Sequence, residues 1–61
     1  MEDKLLEPGE LAVRWGVTTR TLGIWRRKGM GPAYLQVGRT VRYQLSDVEK
    51  WEQEVRQRTA E

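Results

Sequence analysis

A chain of 61 residues with neither cysteine nor histidine has no covalent or metal staple to hold it together. Domains of this length have little interior and correspondingly small margins of stability. No disulfide can form, and the usual structural zinc sites have no ligands. Whatever core exists must therefore come from a few large side chains. Trp15, Trp25, Trp51, Tyr34 and Tyr43 are the candidates, helped by leucine and valine. The same absences bear on chemistry: without His or Cys no nucleophile–base pair can be assembled, so an enzyme is the least expected reading; no cofactor and no small-molecule ligand are expected either. Charged residues make up 33% of the chain and no long apolar run interrupts them, so neither a transmembrane span nor a signal peptide fits. The expectation is one domain over residues 1–61, with its core at about 5–56, fraying ends and a cytoplasmic location.

The net charge of +2 conceals a strong asymmetry. Residues 1–17 carry four acids and two bases. Residues 44–61 carry five acids and three bases. Between them, residues 18–43 hold Arg20, Arg26, Arg27, Lys28, Arg39 and Arg42 and no acid at all. A basic middle between acidic ends makes a bipolar molecule, one part of which attracts a polyanion. Small basic proteins can carry such patches without using them, so the meaning depends on which elements the basic block occupies.

Local punctuation supplies those elements. Pro8 suits the first position of a helix, where its missing N–H is no loss. Leu11, Ala12 and Trp15 then give a one-sided apolar face, and Gly16 ends the segment, predicting a helix at about 8–15. Leu5 and Leu6 read as an apolar pair preceding it. Thr18 is a good N-cap. A second helix over 19–28 buries Leu22 and Trp25, ends in Arg26-Arg27-Lys28, which favour a helix C-terminus, and is closed by Gly29. Arg20, Gly23 and Arg27 lie away from its apolar stripe, with Thr19 and Arg26 flanking; Ile24 is an apolar residue off the stripe. Two short helices joined by about three residues form a helix-turn-helix pattern. After Gly29-Met30-Gly31-Pro32, which cannot be helical, Tyr34–Val37 and Thr40–Tyr43 flank a Gly38-Arg39 turn and read as a β-hairpin, with Val41 and Tyr43 on one side and Thr40 and Arg42 on the other. Ser46 and Glu49 have the spacing of a capping box. Val48, Trp51 and Val55 then mark the buried face of a third helix running to about Arg58.

The basic block thus falls on a helix and a thin hairpin, the two kinds of element that enter DNA grooves. In helix-turn-helix docking the N-terminal end of the second helix meets base edges, here Thr18, Thr19 and Arg20. Arginine can bind guanine bidentately, while threonine hydroxyls and helix amides suit phosphates. Gly23 leaves room for close backbone approach, and Arg26, Arg27 and Lys28 fall where phosphates run. Arg39 at the hairpin tip, with Thr40 and Arg42 on the same strand, suits an adjacent minor groove or its phosphates. Each feature has a plainer reading: a solvated helix residue at Arg20, a C-terminal charge cluster at 26–28, an edge-protecting charge at Arg39. Trp25 and Trp51, on apolar stripes, read as core rather than as base-stacking platforms.

Thr18-Thr19-Arg20-Thr21-Leu22, Trp25, Gly29-x-Gly31-Pro32, Val37-Gly38-Arg39, Val41-Arg42-Tyr43 and Ser46-Asp47-Val48 with Trp51 together resemble the MerR-superfamily winged-helix modules of phage excisionases and AlpA-type prophage regulators. The resemblance spans about residues 5 to 52. It implies a small α+β winged helix-turn-helix with the second helix in the major groove and the hairpin in the minor groove. By position the DNA-reading role passes to Thr18, Thr19, Arg20, Gly23 and Arg27, with Arg39 in the wing. The chain departs from the pattern at Glu7, where Thr or Ser is usual before the proline, and at Gly23 and Ile24, where polar or basic residues are usual. The Glu7 departure implies a weaker cap on the first helix. Neither the long dimerisation helix nor the effector domain that follows the wing in full MerR regulators is expected here. The function implied is that of an excisionase, which binds and bends attachment-site duplex DNA so that a phage integrase runs excision, with further copies of itself on neighbouring sites. A small transcriptional regulator is the alternative, and a protein–protein adaptor built on the same fold a third reading.

Overall fold

A computed structural model describes residues 4–59, with side chains described up to residue 56. The elements in chain order are β1 (Leu5–Leu6), α1 (Pro8–Trp15), α2 (Thr19–Lys28), β2 (Leu35–Val37), β3 (Thr40–Gln44) and α3 (Leu45–Thr59). The strands form an antiparallel sheet of order β1-β3-β2. The result is a small α+β fold of three helices and three strands among the described residues. The expected fraying concerns ends that lie outside these residues in part, at 1–3, 60 and 61. Among the described residues no helix is long and apolar enough to cross a membrane.

Both helix stops follow from glycine. Gly16 and Gly29 sit at φ 70° and 71°, the left-handed region where a side chain is strained. The chain turns out of α1 with the Val17 N–H donating to Ala12 O at 2.9 Å, and out of α2 with the Met30 N–H donating to Trp25 O at 2.8 Å. Thr18 starts α2 as an N-cap, its Oγ1 accepting from the Thr21 N–H at 3.1 Å. At the start of α1, the Glu10 carboxylate reaches back to the Glu7 N–H at 2.9 Å, so position 10 satisfies a donor at the helix entry.

Three expectations are corrected. Leu5 and Leu6 are not merely an apolar lead-in. They pair with Gln44 and Tyr43 as a third strand, so the sheet exceeds a two-stranded hairpin. A two-residue strand is too short to show an alternation, and its partner lies far along the chain. The hairpin strands are also shifted: β2 begins at Leu35 rather than Tyr34, and β3 extends to Gln44. Finally, α3 begins at Leu45, so Ser46 is already inside the helix rather than its cap. The chain passes from strand to helix with no loop, and the Leu45 N–H is taken by Lys4 O at 2.8 Å, so the β1 end serves the helix start.

The core consists of Leu6, Leu11, Ala12, Leu22, Tyr43 and Val48. Each element other than β2 contributes to it. Of the tryptophans expected to supply core side chains, Trp15 and Trp25 pack against it, and all three are half-buried. Trp15, Trp25 and Trp51 contact one another, with ring centroids 5.1, 5.6 and 6.1 Å apart, and form an aromatic cluster beside the core. An indole is too large for so small an interior to enclose fully. Tyr34 is 38% exposed and packs on Tyr43 at 6.1 Å. A second tie holds α1 to α3: Arg14 binds Glu52 through two hydrogen bonds of 2.7 and 2.9 Å, and the Trp15 Nε1–H donates to the same carboxylate at 2.6 Å.

Candidate nucleic-acid interface

Helix α2 buries Leu22 and half-buries Trp25. With 3.6 residues per turn, the side opposite that stripe carries Arg20, Ile24 and Arg27, spaced i, i+4 and i+7. All three are exposed, as are Thr19 and Lys28. Ile24, 36% exposed, lies between the two arginines, so the outward face of α2 is a short apolar strip bounded by cations. On the hairpin, Arg39 and Thr40 are exposed at and beside the turn. Among the described residues, the side chains of Arg20, Arg27, Lys28 and Arg39 have no hydrogen-bond or ion-pair partner. Residues 18–43 contain no acid, so nothing within that span offsets their charge.

The other predicted residues are placed differently. The Thr18 hydroxyl is engaged with Thr21, accepting from its N–H and lying 3.1 Å from its Oγ1. Gly23 is half-buried, and a Cβ there would stand 3.7 Å from Arg26 Nη2, an ordinary van der Waals distance. Arg42 turns toward α1: Nη1 donates to Val41 O at 2.8 Å and Nη2 lies 3.8 Å from Glu7 Oε2. Cross-strand partners share a face, so Arg42 stands with Leu35, and Thr40 with Val37, on the outer side of the hairpin.

Arg26 departs furthest from the sequence reading. It is not alongside Arg27 and Lys28 in open solvent but half-buried, with Nη1 donating to the Tyr43 hydroxyl at 2.6 Å. Its guanidinium carbon lies 5.7 Å from the Tyr34 ring centre and 5.9 Å from that of Tyr43, within cation–π range. The signal for this was the position of Arg26 on the helix, one turn from Leu22 and so on the flank of the buried stripe. The partner tyrosines could not be assigned without knowing the register of the sheet.

The perturbed titrating groups lie away from this surface. The hydrogen bond from Arg14 is the main cause holding the Glu52 carboxyl below its ordinary value, partly opposed by desolvation and assisted by Trp15. The same bond raises Arg14 above its ordinary value. This ion pair ties two helices together and offers no reacting group. Comparison with family models, with curated proteins and with solved structures gives no match.

Proposed function

We propose that this chain is a sequence-specific duplex-DNA-binding protein of the winged helix-turn-helix kind. The observation that carries the reading is the set of exposed cations without a partner among the described residues, Arg20, Arg27 and Lys28 on α2 and Arg39 on the hairpin, drawn from a span with no acid. In this reading the N-terminal end of α2 enters the major groove. Arg20 donates to guanine O6 and N7, and Ile24 meets a thymine methyl. Gly23 lets the helix backbone approach, with Thr18 and Thr19 at the positive end of the helix dipole near phosphates. Arg27 and Lys28 neutralise phosphates further along, and Arg39 reaches the neighbouring minor groove, where negative potential favours arginine. Thr40, exposed beside the turn, supports the hairpin's approach to the DNA backbone, and Arg42 joins it only by leaving Glu7.

The resemblance to excisionase modules takes this one step further. An excisionase-like role needs affinity, spacing and a bend, whose elastic cost of about 1–6 kcal/mol is offset by protein–DNA contacts. Its partners would be attachment-site DNA, a phage integrase and further copies of the same chain; an AlpA-type regulator would use the same surface at a promoter. The test is a DNA titration over a salt series with two variants. Arg20→Ala is expected to cost about 1–3 kcal/mol on a preferred sequence and to flatten the preference between sequences. Equal loss on every sequence would make Arg20 a phosphate ligand. Arg39→Ala is expected to weaken binding, and unchanged affinity would remove the hairpin from the interface.

A further inference from the structure

Helix α2 packs chiefly on α1, with Trp25 against Trp51 of α3, and shares the core with β3 through Leu22 and Tyr43, whereas β3 is packed by α1, α3, β1 and β2. Among the described residues, Arg26 is the one side chain of α2 hydrogen-bonded to the sheet. Its guanidinium bridges the seam completely. Nη1 is held by the Tyr43 hydroxyl at 2.6 Å, the plane lies within reach of the Tyr34 and Tyr43 rings, and Nη2 lies on the side of Gly23. Tyr43 is 1% exposed and anchored in the core, so the strut ends on a fixed point. Tyr34 enters β2 directly, so the same cation also touches the strand leading to the hairpin tip.

We infer that Arg26 is a positioning residue: held by Tyr43 and Tyr34, it fixes the separation and angle between α2 and the hairpin, and so sets which spacing of groove contacts the protein accepts. The inference rests on the DNA reading for its consequence but not for its mechanics. A guanidinium suits the task because its planar fork donates in a fixed direction while its face stacks on aromatic rings; a lysine supplies charge without either. The strut therefore differs from a phosphate contact, for which charge alone suffices.

The test uses the full chain. It has no cysteine, so Lys28→Cys and Val37→Cys, both at exposed positions, admit a spin-label pair spanning α2 and the hairpin. The pair is measured in three backgrounds: unchanged, Tyr43→Phe, which removes only a hydroxyl, and Arg26→Lys, which keeps the charge. Both substitutions are expected to broaden the label-to-label distance distribution in the free protein. An unchanged distribution in both overturns the inference. The unlabelled variants are then titrated with a preferred duplex and with random duplex. A loss of about tenfold on the preferred site, with affinity for random duplex and the salt slope unchanged, is the expected pattern. Wild-type affinity in Tyr43→Phe and Arg26→Lys alike would instead make Arg26 a plain cation and overturn the inference. Broadened distances in a chain whose parent binds no duplex at all would uphold the strut and defeat the DNA reading.

Discussion

Position 23 separates two requirements that usually coincide. A glycine inside a helix is destabilising by about 0.5–1 kcal/mol relative to alanine. Here a Cβ would meet nothing closer than Arg26 Nη2 at 3.7 Å, so the fold does not need the glycine. Gly23→Ala is therefore expected to raise thermal stability by up to about 1 kcal/mol, read as a higher Tm. If α2 enters a groove, the same methyl group weakens DNA binding by about 1 kcal/mol or more. A variant that is more stable and binds equally well would take Gly23 out of the interface. Exposure at the residue scale was legible where a helical wheel decides it: Arg20 and Arg27 fall opposite Leu22, and both are exposed. Arg26 was only half legible. Its flanking position could be read from spacing, but its commitment to Tyr43 depends on a sheet that brings residues 26 and 43 together.

The elements were readable wherever a single residue type dictates the backbone. Gly16 and Gly29 end their helices and Thr18 begins one, as their chemistry requires. Thr18→Ala is expected to cost about 0.5–2 kcal/mol through loss of the cap on α2, measured by thermal or urea unfolding. What local chemistry could not supply was the β1–β3 pairing and the entry into α3. Both depend on one non-local arrangement, in which Leu5 and Leu6 pair with Gln44 and Tyr43 and Lys4 O receives the Leu45 N–H. Glu52 joins the helices at the other side. Its carboxyl is held below the ordinary value by Arg14, so the charged form is the one the fold favours. The stabilisation is present above the ordinary glutamate range, about pH 4.3, and is lost as the pH falls through the lowered folded value. Glu52→Gln is accordingly expected to lower stability at pH 7 and to flatten the acid limb of a stability–pH curve. An acid limb identical to that of the unchanged chain would assign acid sensitivity to other carboxylates.

At the scale of the whole molecule, a core of six buried apolar residues among the described residues, with a half-open tryptophan cluster, holds three helices and a sheet. Leu22 is 1% exposed and belongs to the helix that carries the candidate interface. Leu22→Ala is expected to cost about 2–5 kcal/mol, comparable to the whole margin of a domain this size, and to leave the chain largely unfolded by circular dichroism at 25 °C. Charge distribution works at the same scale. Within the acid-free span 18–43, Arg20, Arg27, Lys28 and Arg39 have no hydrogen-bond or ion-pair partner among the described residues, while acids concentrate toward the two ends. If the chain binds a polyanion as proposed, this distribution is expected to favour one orientation of approach, with affinity falling steeply with salt. Selection of bound duplexes from a random DNA pool, followed by sequencing, decides whether the surface reads sequence. Sequence-specific recognition predicts enrichment of defined sites. Closely spaced direct repeats would match excisionase-like assembly, and an inverted repeat a dimeric regulator. A pool that shows no enrichment, with only weak and salt-sensitive binding, would contradict sequence-specific recognition and leave the fold to serve as an adaptor or a non-specific binder.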